Sequence, residues 1–350
     1  MDDRLKQGQL GWIFRTALLT LVLAAAVVGG CGEKMPLPAN IPDNPDGRLV
    51  DTVYLPLRPT WTEADGIPFN HPAGIGVGYD RTLYICDTDN DRIVRLNVDG
   101  SFIESFDIAH PVAVAQDRGF NLVCANRTSV VYLRRFLDHG GFISFLETDS
   151  VLQCVTTPRG ETICGWAHSS FFDVAVSPQI EGWFYIIDET FGIVRRFSVD
   201  LPLLHRGIDS GSVPGAVLVP LSIATGLSPE GYRVYVTQYG TELGLQYLDG
   251  QRRDPVGLDA SADVFHEIPF GYKLVAADDL GNVYLLTYTT SEVIKFDRFG
   301  RKILAFGREG NDLFSLDNPR GIAVLDETVY IADTDNNRIV RYRLATVPEG

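Results

Sequence analysis

The chain has 350 residues, 45% of them hydrophobic and 21% charged, with a formal net charge of −15. That make-up belongs to a globular domain large enough for one extended core and excludes a low-complexity or disordered chain. The acidic balance repels nucleic-acid phosphates, so no nucleic acid is expected among its partners.

Arg4, Lys6 and Arg15 precede an apolar run from Thr16 to Val28, and small residues follow at once. The run is too short to span a bilayer comfortably and has the layout of a secretory signal, so residues 1–30 are expected to be removed. Val28-Gly29-Gly30-Cys31 resembles the lipobox of bacterial lipoproteins. The resemblance implies that Cys31 becomes the lipid-modified first residue and that more than one acyl chain holds it at a membrane. Gly32, where an acidic residue would imply inner-membrane retention, implies the outer rather than the inner membrane if the envelope is Gram-negative. A plain signal peptide followed by a chance cysteine is the alternative. Residues 31–47 then read as a tether, with four prolines and no apolar periodicity after Cys31. An extended stretch of that length spans about 50 Å.

From Arg48 onward the chain repeats itself. Gly74–Leu96 reads GIGVGYDRTLYICDTDNDRIVRL and Gly321–Tyr342 reads GIAVLDETVYIADTDNNRIVRY, with four weaker copies between them. Each copy opens on a run of alternating small and branched residues, such as Gly74-Ile75-Gly76-Val77 or Gly321-Ile322-Ala323-Val324, which predicts an innermost strand. A second strand carries a tyrosine at a fixed place, Tyr84, Tyr185, Tyr235, Tyr284 and Tyr330, with Val123 as the exception. A third strand follows, as in Arg92-Ile93-Val94-Arg95. Repetition at a period of about 40 to 50 residues predicts six strand-built units.

The phrase Tyr-Ile-x-Asp-Thr-Asp-Asn-x-Arg-Ile-Val-Arg, with Asn70-His71-Pro72 and Asn318-Pro319 upstream, resembles NHL repeats. The resemblance implies an all-β fold, a six-bladed β-propeller over residues 48–344. The last repeat leaves only residues 345–350 as a tail, too few for another strand, whereas Arg48–Leu57 reads as a lone strand ahead of the first repeat. That segment is expected to supply the outer strand of the last blade and so remove an open edge.

Several residues are candidates for chemistry. Asp87, Asp89 and Asp91 alternate as in a calcium loop, but Arg92 stands where such a loop needs glycine, so turn formation is the preferred reading. His71 and His110 hold equivalent places before a proline in adjacent repeats, which puts them near one rim of the channel. They could bind a metal or a ligand, or simply pack under the turn. Arg320 could receive an anionic group there, or pair with a neighbouring Asp. Peptidyl-hydroxyglycine lyases of this propeller type place zinc-binding histidines directly after the repeat proline; here those positions hold Ala73, Val112 and Arg320.

Cys154 and Cys164 flank VTTPRGETI, whose Pro158, Arg159 and Gly160 suit a turn. In an exported chain the pair reads as a disulfide closing an inserted hairpin near 150–172, with two free thiols as the alternative. Trp166, His168, Phe171 and Phe172 follow or belong to it and could form a partner-binding protrusion, or could be core. Cys86 and Cys124 sit in predicted inner strands of neighbouring repeats, at different registers, and are expected to be buried and unpaired. These readings point to an envelope lipoprotein that binds a protein partner and needs no cofactor. The alternative is a metal-dependent hydrolase or lyase working in the channel.

Overall fold

β-branched and aromatic residues recur at period two between turn-forming Asp, Asn and Gly, and strands dominate accordingly. The computed structural model describes residues 52–133, 143–147, 150–156, 162–179, 182–198, 206–208, 219–228, 231–239, 244–249, 271–287 and 289–346. The expected signal peptide, Cys31, the tether, Arg48–Asp51 and residues 347–350 lie outside the described residues.

The described strands form six antiparallel sheets of three or four strands, each running outward from one inner strand. The inner strands are Pro72–Val77, Ala113–Gln116, Phe171–Val176, Pro220–Ser228, Tyr272–Ala277 and Gly321–Leu325. They define blades 1 to 6. Each touches the next, the last returns to the first, and together they wall one central cavity of about 750 Å3. The arrangement is a β-propeller.

Small residues on the inner strands are required by how closely these strands approach one another. The Gly74 N–H donates to the Val112 carbonyl of blade 2 at 3.0 Å. A Cβ on Gly74 would stand 2.6 Å from that oxygen, and one on Gly76 would stand 2.5 Å from the Val114 carbonyl. Only glycine fits such an approach. Cross-strand from the repeat tyrosines stand Gly76, Ala175, Ala224, Ala276 and Ala323, which leave room for the ring. The hydroxyls of Tyr84 and Tyr284 donate to Asp80 and Asp278 in the turns between first and second strands, at 2.8 and 3.1 Å. Blade 2 has Val123 instead, and there Tyr132, the cross-strand neighbour of Val123, donates to Asp117 at 3.0 Å. The exception in the sequence is thus compensated one strand further out.

Buried apolar residues gather in six clusters, one in each seam between neighbouring blades. The seam between blades 5 and 6 is completed by the strand Thr52–Pro56, which pairs antiparallel with Arg338–Thr346 as the outermost strand of blade 6. The N-terminal strand therefore closes the last blade, as the sequence predicts. Its Tyr54 is 4% exposed and stacks on Phe306 with ring centroids 4.4 Å apart. One boundary moves: the last strand runs to Thr346, two residues past Leu344, because Val53 and Thr52 pair with Ala345 and Thr346. Separately, Ser150–Thr156 and Thr162–His168 form a two-stranded hairpin in which Cys154 lies directly opposite Cys164.

Tyr54→Ala is expected to lower unfolding free energy by about 3 kcal/mol, the cost of a large buried aromatic. Deleting residues 48–57 is expected to abolish the cooperative thermal transition, and unchanged melting of the deletion variant would contradict the closure.

Candidate functional site

The repeated acidic phrase forms the hairpin between second and third strands, at a mouth of the cavity that His71, Thr88 and Asp89 help line. Asp87 and Asp333 end the second strands of blades 1 and 6 with no solvent exposure. Asp87 accepts from the Asn70 N–H at 2.8 Å, Arg92 Nε at 2.8 Å and Asn90 Nδ2 at 2.9 Å. Asp333 repeats the set with the Asp317 N–H, Arg338 Nε and Asn336 Nδ2 at 2.6, 2.6 and 2.9 Å. Burial pushes the Asp333 pKa upward, against the hydrogen bonds that hold its ionised form.

The intervening threonines reach the next blade. Thr88 Oγ1 donates to the Pro111 carbonyl and Thr334 Oγ1 to the Pro72 carbonyl, each at 2.8 Å. Asp91 and Asn337 close their hairpins in the left-handed conformation and accept the backbone N–H groups of His110 and His71 at 2.9 and 2.7 Å. His71 and His110 are themselves left-handed, a conformation that a non-glycine residue keeps when its surroundings fix it. The phrase is a set of ties within and between blades.

What the ties leave at the surface is a cluster of rim side chains. His71 Nδ1 stands 2.8 Å from Asp89 Oδ2, while His110 Nδ1 stands 3.9 Å from Asp89 Oδ1 and 3.5 Å from Asp91 Oδ1. The two histidines singled out in the sequence thus meet at one carboxylate. All four side chains are between 43% and 67% exposed.

Inside the mouth, equivalent positions of the six inner strands can be compared directly. Immediately before the buried branched residue stand Gly74, Ala113, Asp173, Ser222, Leu274 and Gly321, so blade 3 carries the acid. Asp173 lies next to an irregularity in the pairing of its strand. Its Oδ2 accepts from Ser222 Oγ and the Ile223 N–H of blade 4 at 2.8 and 2.9 Å, and its Oδ1 from the Val174 N–H at 2.8 Å. Burial pushes its pKa up to about 6 despite these donors. One position earlier stand Ala73, Val112, Phe172, Leu221, Lys273 and Arg320. Burial, then the nearby Arg320, lowers Lys273 to about 8; its Nζ donates to Asn318 Oδ1 at 2.6 Å. Arg320 lines the cavity, and no ion pair joins it to an Asp among the described residues.

The aromatic candidates divide. Trp166 and His168 lie on the inserted hairpin, and His168 is exposed. Phe171 is 0% exposed in the seam between blades 2 and 3, so it is core and not part of a protrusion. Phe172 lines the cavity, with the Arg127 guanidinium 5.2 Å from its ring centroid. Asp173, Ser222 and Lys273 were not singled out from the sequence; aligning the six inner strands position by position would have exposed them. Among the described residues, no three His, Cys, Asp or Glu side chains are grouped so as to hold a metal ion.

Comparison with known proteins agrees with this architecture. Residues 316–342 match the family model of the NHL repeat. No curated protein sequence matches the chain. Among solved structures, a gluconolactonase from Xanthomonas campestris is 16% identical, with 81% of this chain and 88% of that one covered and a TM-score of 0.52. The calcium-binding protein regucalcin from Agrobacterium tumefaciens is 12% identical, covering 79% and 91%, with a TM-score of 0.53. A chain of a nidogen–laminin complex is 15% identical, covering 74% and 88%, with a TM-score of 0.50. At these identities the likeness is one of fold. The protein is a β-propeller, and the segment that matches the NHL repeat lies in its last blade.

Asp173 gives a pH signature. An acid whose pKa is higher folded than unfolded favours the fold at low pH, and that contribution is lost as pH rises from about 4 to about 6. Asp173→Asn is therefore expected to gain stability relative to wild type across that window, by on the order of 2 kcal/mol in denaturant unfolding. A constant difference at all pH values would contradict the assignment.

Proposed function

We propose that the protein is a binding propeller of the cell envelope, tethered by lipid at Cys31, that holds an envelope protein partner on the face bearing the cavity mouth. The observation that carries this reading is the rim of His71, Asp89, His110 and Asp91, exposed side chains whose backbones are locked by ties between blades. A rigid surface loses little conformational freedom on association, which favours its use as a docking face. An acidic surface keeps such a protein apart from anionic head groups, so that the anchor rather than the propeller holds it at the membrane. Outer-membrane placement rests on Gly32 after Cys31. A disulfide between Cys154 and Cys164 belongs to the same reading. Its support is that directly opposed antiparallel residues have Cα atoms about 4.5–5.5 Å apart, within disulfide reach.

A second reading, a hydrolase or lyase acting in the cavity, is favoured by Asp173, whose pKa of about 6 suits a general base at neutral pH. Propeller folds serve both binding and catalysis, so the fold itself does not choose.

The test is affinity purification of the tagged full-length protein from detergent-solubilised membranes, with co-eluting proteins identified by mass. One stoichiometric partner is expected, and its recovery is expected to fall at least tenfold in a His71→Asn, His110→Asn double variant. Asparagine accepts the left-handed backbone, so melting should stay within about 0.5 kcal/mol of wild type. A protein that elutes alone, and turns over cyclic esters in a manner lost in Asp173→Asn, would replace this reading with the second.

A further inference from the structure

The two cysteines of the ring face each other across the seam between blades 1 and 2. Both lie on second strands, both are fully buried, and both are free. Their registers differ: Cys86 comes two residues after Tyr84, whereas Cys124 comes one residue after Val123, the equivalent position. On a strand, an offset of one residue turns a side chain to the opposite face. Cys86 therefore shares the face of Tyr84, toward blade 2, and Cys124 shares the face of Leu122, toward blade 1; all four pack in one cluster. The residues of opposite parity, Ile85 and Val123, pack into the seams on the far sides. The difference in register that argued against pairing in the sequence is what brings the two thiols into one buried cluster.

We propose that Cys86 and Cys124 form a disulfide that staples blade 1 to blade 2 as the chain folds in an oxidising compartment. The oxidant is a disulfide, either that of an envelope thiol oxidase or oxidised glutathione. One cysteine thiolate attacks a sulfur of the oxidant, breaking its S–S bond and forming a mixed disulfide. The second thiolate attacks the first cysteine's sulfur, forming the Cys86–Cys124 bond and expelling the remaining oxidant sulfur as thiolate. The two cysteines lose two electrons and two protons, and the oxidant becomes a dithiol or two thiols. Exchange precedes closure of the seam, because both sulfurs are inaccessible afterwards and burial holds the Cys86 thiol in its protonated form. The bond lies next to Asp87, whose hairpin carries Asp89 of the rim. The staple would fix the seam that presents that rim.

The test does not depend on where the protein resides. The full chain, purified in detergent, is unfolded under reduction and refolded in a mixture of reduced and oxidised glutathione. Free thiols are then blocked, and the linked peptides are mapped by mass. The expected result is a Cys86 peptide joined to the Cys124 peptide. The oxidised protein should also melt above the reduced one, with a difference of several degrees that shrinks in Cys86→Ala and in Cys124→Ala. The same buffer applied to folded, reduced protein is expected to form the bond at least tenfold more slowly. Separate labelling of Cys86 and Cys124 after refolding, or joining of either to Cys154 or Cys164, would overturn the pairing. The state of Cys154 and Cys164 in the same digest reports separately on the hairpin disulfide.

Discussion

A carboxylate cut off from water sets the geometry of the motif-bearing blades, Asp87 in blade 1 and Asp333 in blade 6. A buried charge is costly unless it is paired and hydrogen-bonded, and here one arginine, one asparagine and one backbone N–H meet that requirement together. Satisfying the carboxylate fixes the hairpin that contains it and the turn that leads into the inner strand. With both fixed, the threonine and the left-handed Asx residue of each hairpin fall against the next blade and bind its backbone. The inner strands can then approach so closely that glycine is required at Gly74 and Gly76. Cavity and rim follow from that approach.

Much of this architecture was legible in the sequence because the constraints recur. Strands show as alternation, the crowded centre as small residues, and the seams as tyrosines at a fixed position. The closing strand showed as a lone apolar segment ahead of the first repeat, and Tyr54 explains why that segment is apolar. What stayed hidden depends on relations between blades. Asp173 and Ser222 form a polar bridge between blades 3 and 4, and each is inconspicuous in its own strand. For Phe171 the sequence left both a protrusion and the core open, and its place in the seam between blades 2 and 3 decides for the core. The facing of Cys86 and Cys124 requires knowing that neighbouring blades present opposite strand faces to each other.

The same division separates structure from function at the cavity mouth. The most conspicuous residues of the repeat, Asp87, Thr88, Asn90 and Arg92, are occupied in ties within the blade and, through Thr88, to the next one. Those that face the rim or the cavity are less conspicuous: the rim histidines with Asp89, and within the cavity Arg320 and Asp173, the latter tied to blade 4. A rigid ring with a small set of exposed rim charges suits recognition of a partner. The perturbed carboxylate behind them is the feature a catalytic account has to use.

Hydrogen exchange of the backbone amides in the lead-in turns tests the central claim most directly, because Asn70, His71, His110 and Asp317 donate to side chains rather than to a strand partner. If the motif ties the blades together, these amides should exchange only through opening of the whole ring, with protection matching that of the second strands. Exchange at the rate of open surface loops would contradict the account, and the blades would then be held by their apolar seams alone.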